Sequence, residues 1–323
     1  MPCFSGRLLD AERRVFSFLR SIVRKEKVVG LLLVVIALLS ACRGGANSNS
    51  ATPPASARQV TDDLGRSVNL PPKAERIVSL APSVTEIVYA AGAGDRLVGV
   101  TTFCNFPAQA AEVAKVGDTL NPNMETIVAL KPDLVLVSTA SQIEAFTKTL
   151  TDNGIAVYVT NPTTLEAVIQ TVRKFGELLG TSTVADAAAA DLKRRVGDVW
   201  TKLQLEAKVR VFVQVSKEPL FTIGKDSFLN EPIAKAGGIS VTADVETAFP
   251  KLSKETASAL KPEAIILSES DDNREPNEVF ASSPAVKNGR VYKINADLLS
   301  RPGPRLVDAY EQIARYLHPA KFK

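Results

Sequence analysis

"ETIVALKPDLVLVS" occupies Glu125–Ser138, and "ETASALKPEAIILS" occupies Glu255–Ser268. The two stretches share ETxxxALKP, then an acid, then an apolar run closing on Ser, at an offset of 130 residues. Proline disfavours helical geometry in the residue before it, so each helical segment should stop at its lysine. An apolar run of strand length follows. Each copy therefore predicts a helix–turn–strand unit, and two copies predict two similar lobes. The local form alone is equally compatible with coincidence, because LKP before an apolar run is a common way out of a helix. A glutamate heading both copies favours true equivalence. Near a helix N-terminus each carboxylate gains about 0.3–1 kcal/mol from the macrodipole, whatever its further use.

Working outward, β-rich runs alternate with helical patterns from Val60 onward, which is the signature of an α/β fold. In the first lobe, residues 60–163, strands are expected at 76–81, 96–101, 134–138 and 155–160. Ser83-Val84-Thr85-Glu86 reads as a capping box opening a helix that stops at Gly92. Residues 164–207 carry no strand signal and are rich in helix formers, with a break near Gly180-Thr181. The second of these two helices, of about 24 residues, would span roughly 36 Å and act as a stiff spine. Alternation resumes over 208–323, with strands at 209–216 and 289–294 and a final helix over 304–317.

Charge and cysteine usage concern location. Residues 1–41 hold seven Lys/Arg and three acids, which accounts for the whole net charge of +4, so residues 42–323 are formally neutral. Such a body carries no electrostatic footprint for nucleic acid. Val28–Ala41, "VVGLLLVVIALLSA", follows a basic segment and is short for a bilayer-spanning helix. It has the form of a signal peptide, and it ends in "LSAC", which resembles the lipobox of bacterial lipoproteins and implies Cys42 as the lipidation site. Residues 42–59 are poor in groups that can be buried and read as a flexible tether. Beyond Cys3 and Cys42 only Cys104 remains, so no disulfide is expected within the body.

"RIVSLAPSVTEIVYAAGAGDRLVGVTTFCNFP", "NMETIVALKPDLVLVS", "PLFTIGKDSFLNEPIAKAGG", "FPKLSKETASALKPEAIIL" and "RPGPRLVDAYEQIARYL", in this order, resemble the vitamin B12-binding proteins of bacterial ABC importers, within the wider group of B12, haem and ferric-siderophore binding proteins. The resemblance covers about Val60 to Pro319. It implies two α/β lobes joined by a long backbone helix, with a ligand cleft between the lobes. It also implies a lipid-anchored, extracytoplasmic, monomeric protein that hands a metal chelate to a permease dimer with its ATPase. Ligand-contacting positions of the B12 binders fall on Phe103, Phe221, Phe249, Asp297 and Arg301, and Phe106 adds a ring in the Phe103 loop. Rings with a few placed polar groups suit a large, partly polar ligand. Tryptophans of the B12 binders fall on Thr119, Ser138 and Leu298, so the cleft should be roomier and more polar than theirs. Corrinoid, haem and siderophore all stay open as cargo. In the family one acid on each lobe docks onto arginines of the two permease subunits, and Glu125 and Glu255 occupy those positions.

The sequence offers little for other chemistry. The single histidine, His318, precedes Pro319 near the end of the chain, which excludes a His-rich metal site. There is no GxxxxGK[ST], GxSxG or HExxH motif. No enzyme activity and no resident cofactor are expected. Cys104 reads as a small buried thiol. A lipoprotein sensor on the same fold is the competing class; it would need neither the paired glutamates nor a permease.

Overall fold

The structure, a computed structural model, describes residues 58–139 and 143–323, with the side chains of all of these except 143–146. The leader over 1–41, Cys42 and nearly all of the tether lie outside the described residues. A hairpin comes first, β1 (Arg58–Thr61) pairing antiparallel with β2 (Ser67–Leu70). Its turn is held by the Asp62 carboxylate, which accepts the N–H groups of Leu64 and Arg66. The strand starts at Arg58, inside the segment read as tether. The Arg58 guanidinium donates to the carbonyls of Glu177 and Leu178, which fixes that residue to the body.

The first lobe is built from β3 (Ile77–Ser79), α1 (Pro82–Ala90), β4 (Leu97–Val100), α2 (Met124–Ala129), β5 (Leu134–Ser138), α3 (Ile143–Asp152) and β6 (Ala156–Thr160). Its strands form a parallel sheet in the order β4-β3-β5-β6. The helix pair α4 (Leu165–Leu179) and α5 (Ser182–Leu203) follows. At 22 residues, α5 spans about 33 Å. The break between the two is made by Gly180, which takes φ 70° and caps α4. Gly176 permits their close crossing, since a Cβ there would lie 2.3 Å from the Ala185 Cβ.

The second lobe comprises β7 (Val209–Ser216), β8 (Phe221–Thr222), α6 (Asn230–Lys235), β9 (Gly238–Ser240), α7 (Lys254–Ala259), β10 (Ala264–Glu269), α8 (Pro284–Lys287), β11 (Val291–Asn295), α9 (Ala296–Leu299) and α10 (Leu306–Leu317). β10 lies between β7 and β11, parallel to both. β9 pairs parallel with the start of β7 and β8 antiparallel with its end. The two-residue β8 is too short to leave a periodic signal in the sequence.

Both sheets are buried on two faces, which is why their strands read as unbroken apolar runs. Leu134 and Leu136 of β5 face the same core as the helix pair, while Val135 and Val137 face a second core with Ile127 of α2. β10 repeats this, with Ala264 and Ile266 toward the helix pair and Ile265 and Leu267 toward Ala257 of α7. One apolar core thus runs from the first lobe through the helix pair into the second. Arg195 of α5 adds a polar tie, donating to Asp308 and Glu311 of α10. The Glu311 hydrogen bond leads in raising the arginine's pKa further above its ordinary value, against the effect of burial.

The repeated stretch has a structural cause that includes a third partner. Lys131 and Lys261, each before its proline, adopt φ 48° and 46°. These left-handed residues end α2 and α7 and turn the chain into β5 and β10. The acid after each proline then caps the neighbouring strand. Asp133 accepts the N–H groups of Glu75 and Arg76, and Glu263 accepts that of Arg210. In return the arginine side chains donate to the carbonyls ending the helices, Arg76 to Leu130 and Arg210 to Leu260.

Candidate functional site

Ligands of parallel sheets collect at the carboxyl ends of the strands. A pocket of about 350 Å³ lies there, beyond the ends of β3, β5 and β6. The first lobe contributes Ser83 of α1, Phe103, Thr119, Ser138, Thr139, Thr160 and Asn161. The second lobe closes it with Asp297, Ser300, Arg301 and Pro302, on and just after α9. Among the described residues, apart from the two charged ones, its polar side chains are hydroxyls and one amide.

Arg301 is 8% exposed and ties the lobes together. One terminal nitrogen donates to Asn105 Oδ1 at 2.8 Å and Glu86 Oε1 at 3.3 Å. The other donates to Asp297 Oδ1 at 2.5 Å and the Phe103 carbonyl at 3.2 Å. Glu86 is itself buried and receives a two-pronged contact from Arg305, Nε to Oε2 at 3.0 Å and Nη2 to Oε1 at 2.6 Å. Fork-on-carboxylate geometry of this kind is among the stronger charged hydrogen bonds. Burial works against the Arg305 charge, but Glu86 outweighs it and holds the guanidinium above its ordinary pKa. Arg305 also covers the Phe106 ring at 4.1 Å, and Asn105 Nδ2 donates to Asp297 Oδ2 at 2.9 Å. Glu86, Phe103, Asn105 and Phe106 belong to the first lobe, and Asp297, Arg301 and Arg305 to the second.

The capping box expected at Ser83–Glu86 does not form. Pro82 takes the first helical position of α1 and Ala81 is its N-cap, so the helix starts ahead of Ser83. Glu86 is then free of any capping role and serves the two arginines. Sequence reasoning missed Glu86 for this reason, and it missed Asn105 and Arg305 as well. Two arginines bracketing Pro302-Gly303-Pro304 were the available signal.

Of the six residues expected to contact ligand, the fold brings Phe103, Asp297 and Arg301 to the pocket wall. Phe103 is 62% exposed. Phe106 lies against Arg305, beside this set. Phe221 and Phe249 are not among the lining residues. Both belong to the second lobe, where Phe221 bridges to Lys251 and Phe249 is 44% exposed. Thr119 and Ser138, expected to widen the cleft, do line it, whereas Leu298 packs against the main core. Cys104 is 2% exposed between the hydroxyls of Thr85 and Thr101, each 3.1 Å from Sγ, and is not among the lining residues.

Asp63 supports the pocket wall from behind. It accepts from Lys174, from Thr160 Oγ1 and from the Asn161 N–H. Burial raises its pKa, but these hydrogen bonds prevail and leave it below the usual carboxylate range.

Glu125 and Glu255 stand in the first turns of α2 and α7, both exposed. Each helix is capped by the residue two before, Asn123 or Ser253, accepting from the Thr126 or Thr256 N–H. Neither glutamate is needed as a cap. Local hydrogen bonds, from its own backbone N–H and then from Ser253, lower the Glu255 pKa and keep it ionised. Among the described residues no group of His, Cys, Asp and Glu could hold a metal ion, and no helix is long and apolar enough to cross a membrane.

Comparison with known proteins agrees with this geometry. The periplasmic binding protein family model matches residues 77–298. A vitamin B12-binding protein of Vibrio cholerae is 34% identical over 250 residues, covering 77% of this chain and 91% of the relative. An ABC transporter substrate-binding lipoprotein of Bacillus subtilis, YvrC, is 35% identical over 273 residues, covering 82% and 86%. Among solved structures, the periplasmic vitamin B12 binding protein of Vibrio cholerae superposes with a TM-score of 0.68 at 32% identity, over 77% of this chain and 99% of the other. A periplasmic heme binding protein of Pseudomonas aeruginosa gives a TM-score of 0.68 at 25% identity, over 76% and 93%. With two α/β lobes, a cleft pocket at the strand ends and relatives of this identity, the chain belongs to the periplasmic binding protein family.

Proposed function

We propose that this protein is the extracytoplasmic substrate-binding lipoprotein of an ABC importer, which holds cobalamin or a related metal chelate between its lobes and delivers it to a permease dimer driven by its ATPase. The observation that carries this is the pairing of one inter-lobe pocket with an exposed glutamate at the same place in each lobe. Phe103, Phe106, Phe221, Phe249, Asp297 and Arg301 form the ligand set of this reading, and Glu125 and Glu255 the docking set. Two exposed acids, one per lobe, suit a partner with two-fold symmetry, and such charge pairs contribute steering and orientation more than raw affinity. The Cys42 lipid anchor rests on "LSAC" and on the kinship with a protein described as a lipoprotein. The kinship with a heme binding protein supports a haem or ferric-siderophore cargo as the second reading.

The test has two arms. Residues 57–323 mixed with hydroxocobalamin, hemin or a ferric hydroxamate and then desalted should carry the colour of one of them. Glu125→Ala with Glu255→Ala should weaken binding to the reconstituted permease on the order of tenfold, with chelate affinity unchanged. Equal docking by wild type and double variant would reject the importer assignment in favour of a sensor.

A further inference from the structure

The charge state of the pocket is set by a residue that does not line it. Among the described residues lining the pocket the single cation is Arg301, and two carboxylates already face it, Asp297 at 2.5 Å and Glu86 at 3.3 Å. Glu86 at the same time engages Arg305, so two guanidiniums and two carboxylates form a closed, neutral set. Among the described residues the rest of the polar wall is uncharged, from Ser83, Thr119, Ser138, Thr139, Thr160, Asn161 and Ser300. A carboxylate or catecholate entering this cleft would leave water for a site without a spare cation, and it would approach Asp297. Burying a charge without a partner is costly, whereas an amide finds donors and acceptors in hydroxyls and Asn161.

We propose that Glu86 is a specificity-determining residue: by holding Arg301 and Arg305 it makes the cleft select neutral or cationic chelates with an amide or hydroxyl periphery and reject anionic ones. This rests on the reading of the protein as a chelate carrier. Glu86 acts through the arginines rather than by touching ligand, and its buried place on α1 keeps water from screening the effect.

The experiment uses pairs that differ in charge on one scaffold: cobinamide against cobyrinic acid, and hemin diamide against hemin. Affinities are measured by absorbance titration of residues 57–323. The wild type should favour the amide form of whichever scaffold it holds by about tenfold or more. Glu86→Gln keeps the shape and frees one positive charge, so it should narrow that ratio on the order of tenfold, with gain for the carboxylate form. Asp297→Asn, on the half-buried side of Arg301, should narrow it too, and it supplies the answer if Glu86→Gln does not fold. Wild-type affinity for a carboxylate form equal to its amide counterpart overturns the proposal and leaves the carrier reading intact. An unchanged ratio in the folded variants overturns it as well. Retention of neither scaffold in either form, nor of a neutral ferric hydroxamate, by folded wild type removes the carrier reading and this inference with it.

Discussion

Replacing Asp133 by alanine removes the acceptor of two backbone N–H groups, those of Glu75 and Arg76, each 2.9 Å from the same carboxylate oxygen. Replacing Glu263 removes the acceptor of one, that of Arg210 at 2.8 Å. Asp133 is half-buried and Glu263 is exposed, so water replaces the lost partner more readily in the second lobe. At about 0.5–1.5 kcal/mol for each hydrogen bond, Asp133→Ala should cost roughly 1–3 kcal/mol and Glu263→Ala roughly half of that. The two sites lie on different sheets, so the double variant should lose about the sum. Urea unfolding followed by circular dichroism reads this directly. With a slope of about 3 kcal/mol/M, a loss of 2 kcal/mol moves the midpoint by about 0.7 M at unchanged slope. A Glu263→Ala cost equal to or above that of Asp133→Ala would refute the account of the repeat as a strand cap.

Two further outcomes follow from the packing and the charges. Gly176→Ala places a Cβ 2.3 Å from that of Ala185, so it should destabilise the protein by about 1–3 kcal/mol, measured as a lowered urea midpoint. Asp63 has a folded pKa below its ordinary value, so its contribution is complete at neutral pH and is lost as pH falls through the folded value. As pH falls below the ordinary carboxylate range and through that lowered value, the tie to Thr160 and Asn161 should loosen; stability measured between pH 7 and 3 should drop less for Asp63→Asn than for wild type.

Much of the architecture was legible because local chemistry and global fold agree. The doubled ETxxxALKP announced two equivalent helix–turn–strand units, and both are present, with the lysine before each proline ending the helix as expected. The run "LVLVS" gave its strand but not its two faces. An unbroken apolar string shows no alternation, and only the packing assigns Leu134 and Leu136 to one core and Val135 and Val137 to another. The helix pair was visible from composition and from Gly180, since a left-handed cap suits glycine above other residues.

The site divides in the same way. Phe103, Asp297 and Arg301 could be named from the sequence because the resemblance carried their positions, and exposed Glu125 and Glu255 because they repeat. Glu86 could not be. Four residues of sequence offered it a local role as a helix cap, whereas its partners Arg301 and Arg305 lie more than two hundred residues away. Periodicity, caps and repeats are short-range statements, and the sequence determined what they govern: the helix pair and the two repeated helix–turn–strand units. Which charges meet across the cleft depends on how the one shared core seats the lobes, and that was decided by the tertiary structure alone.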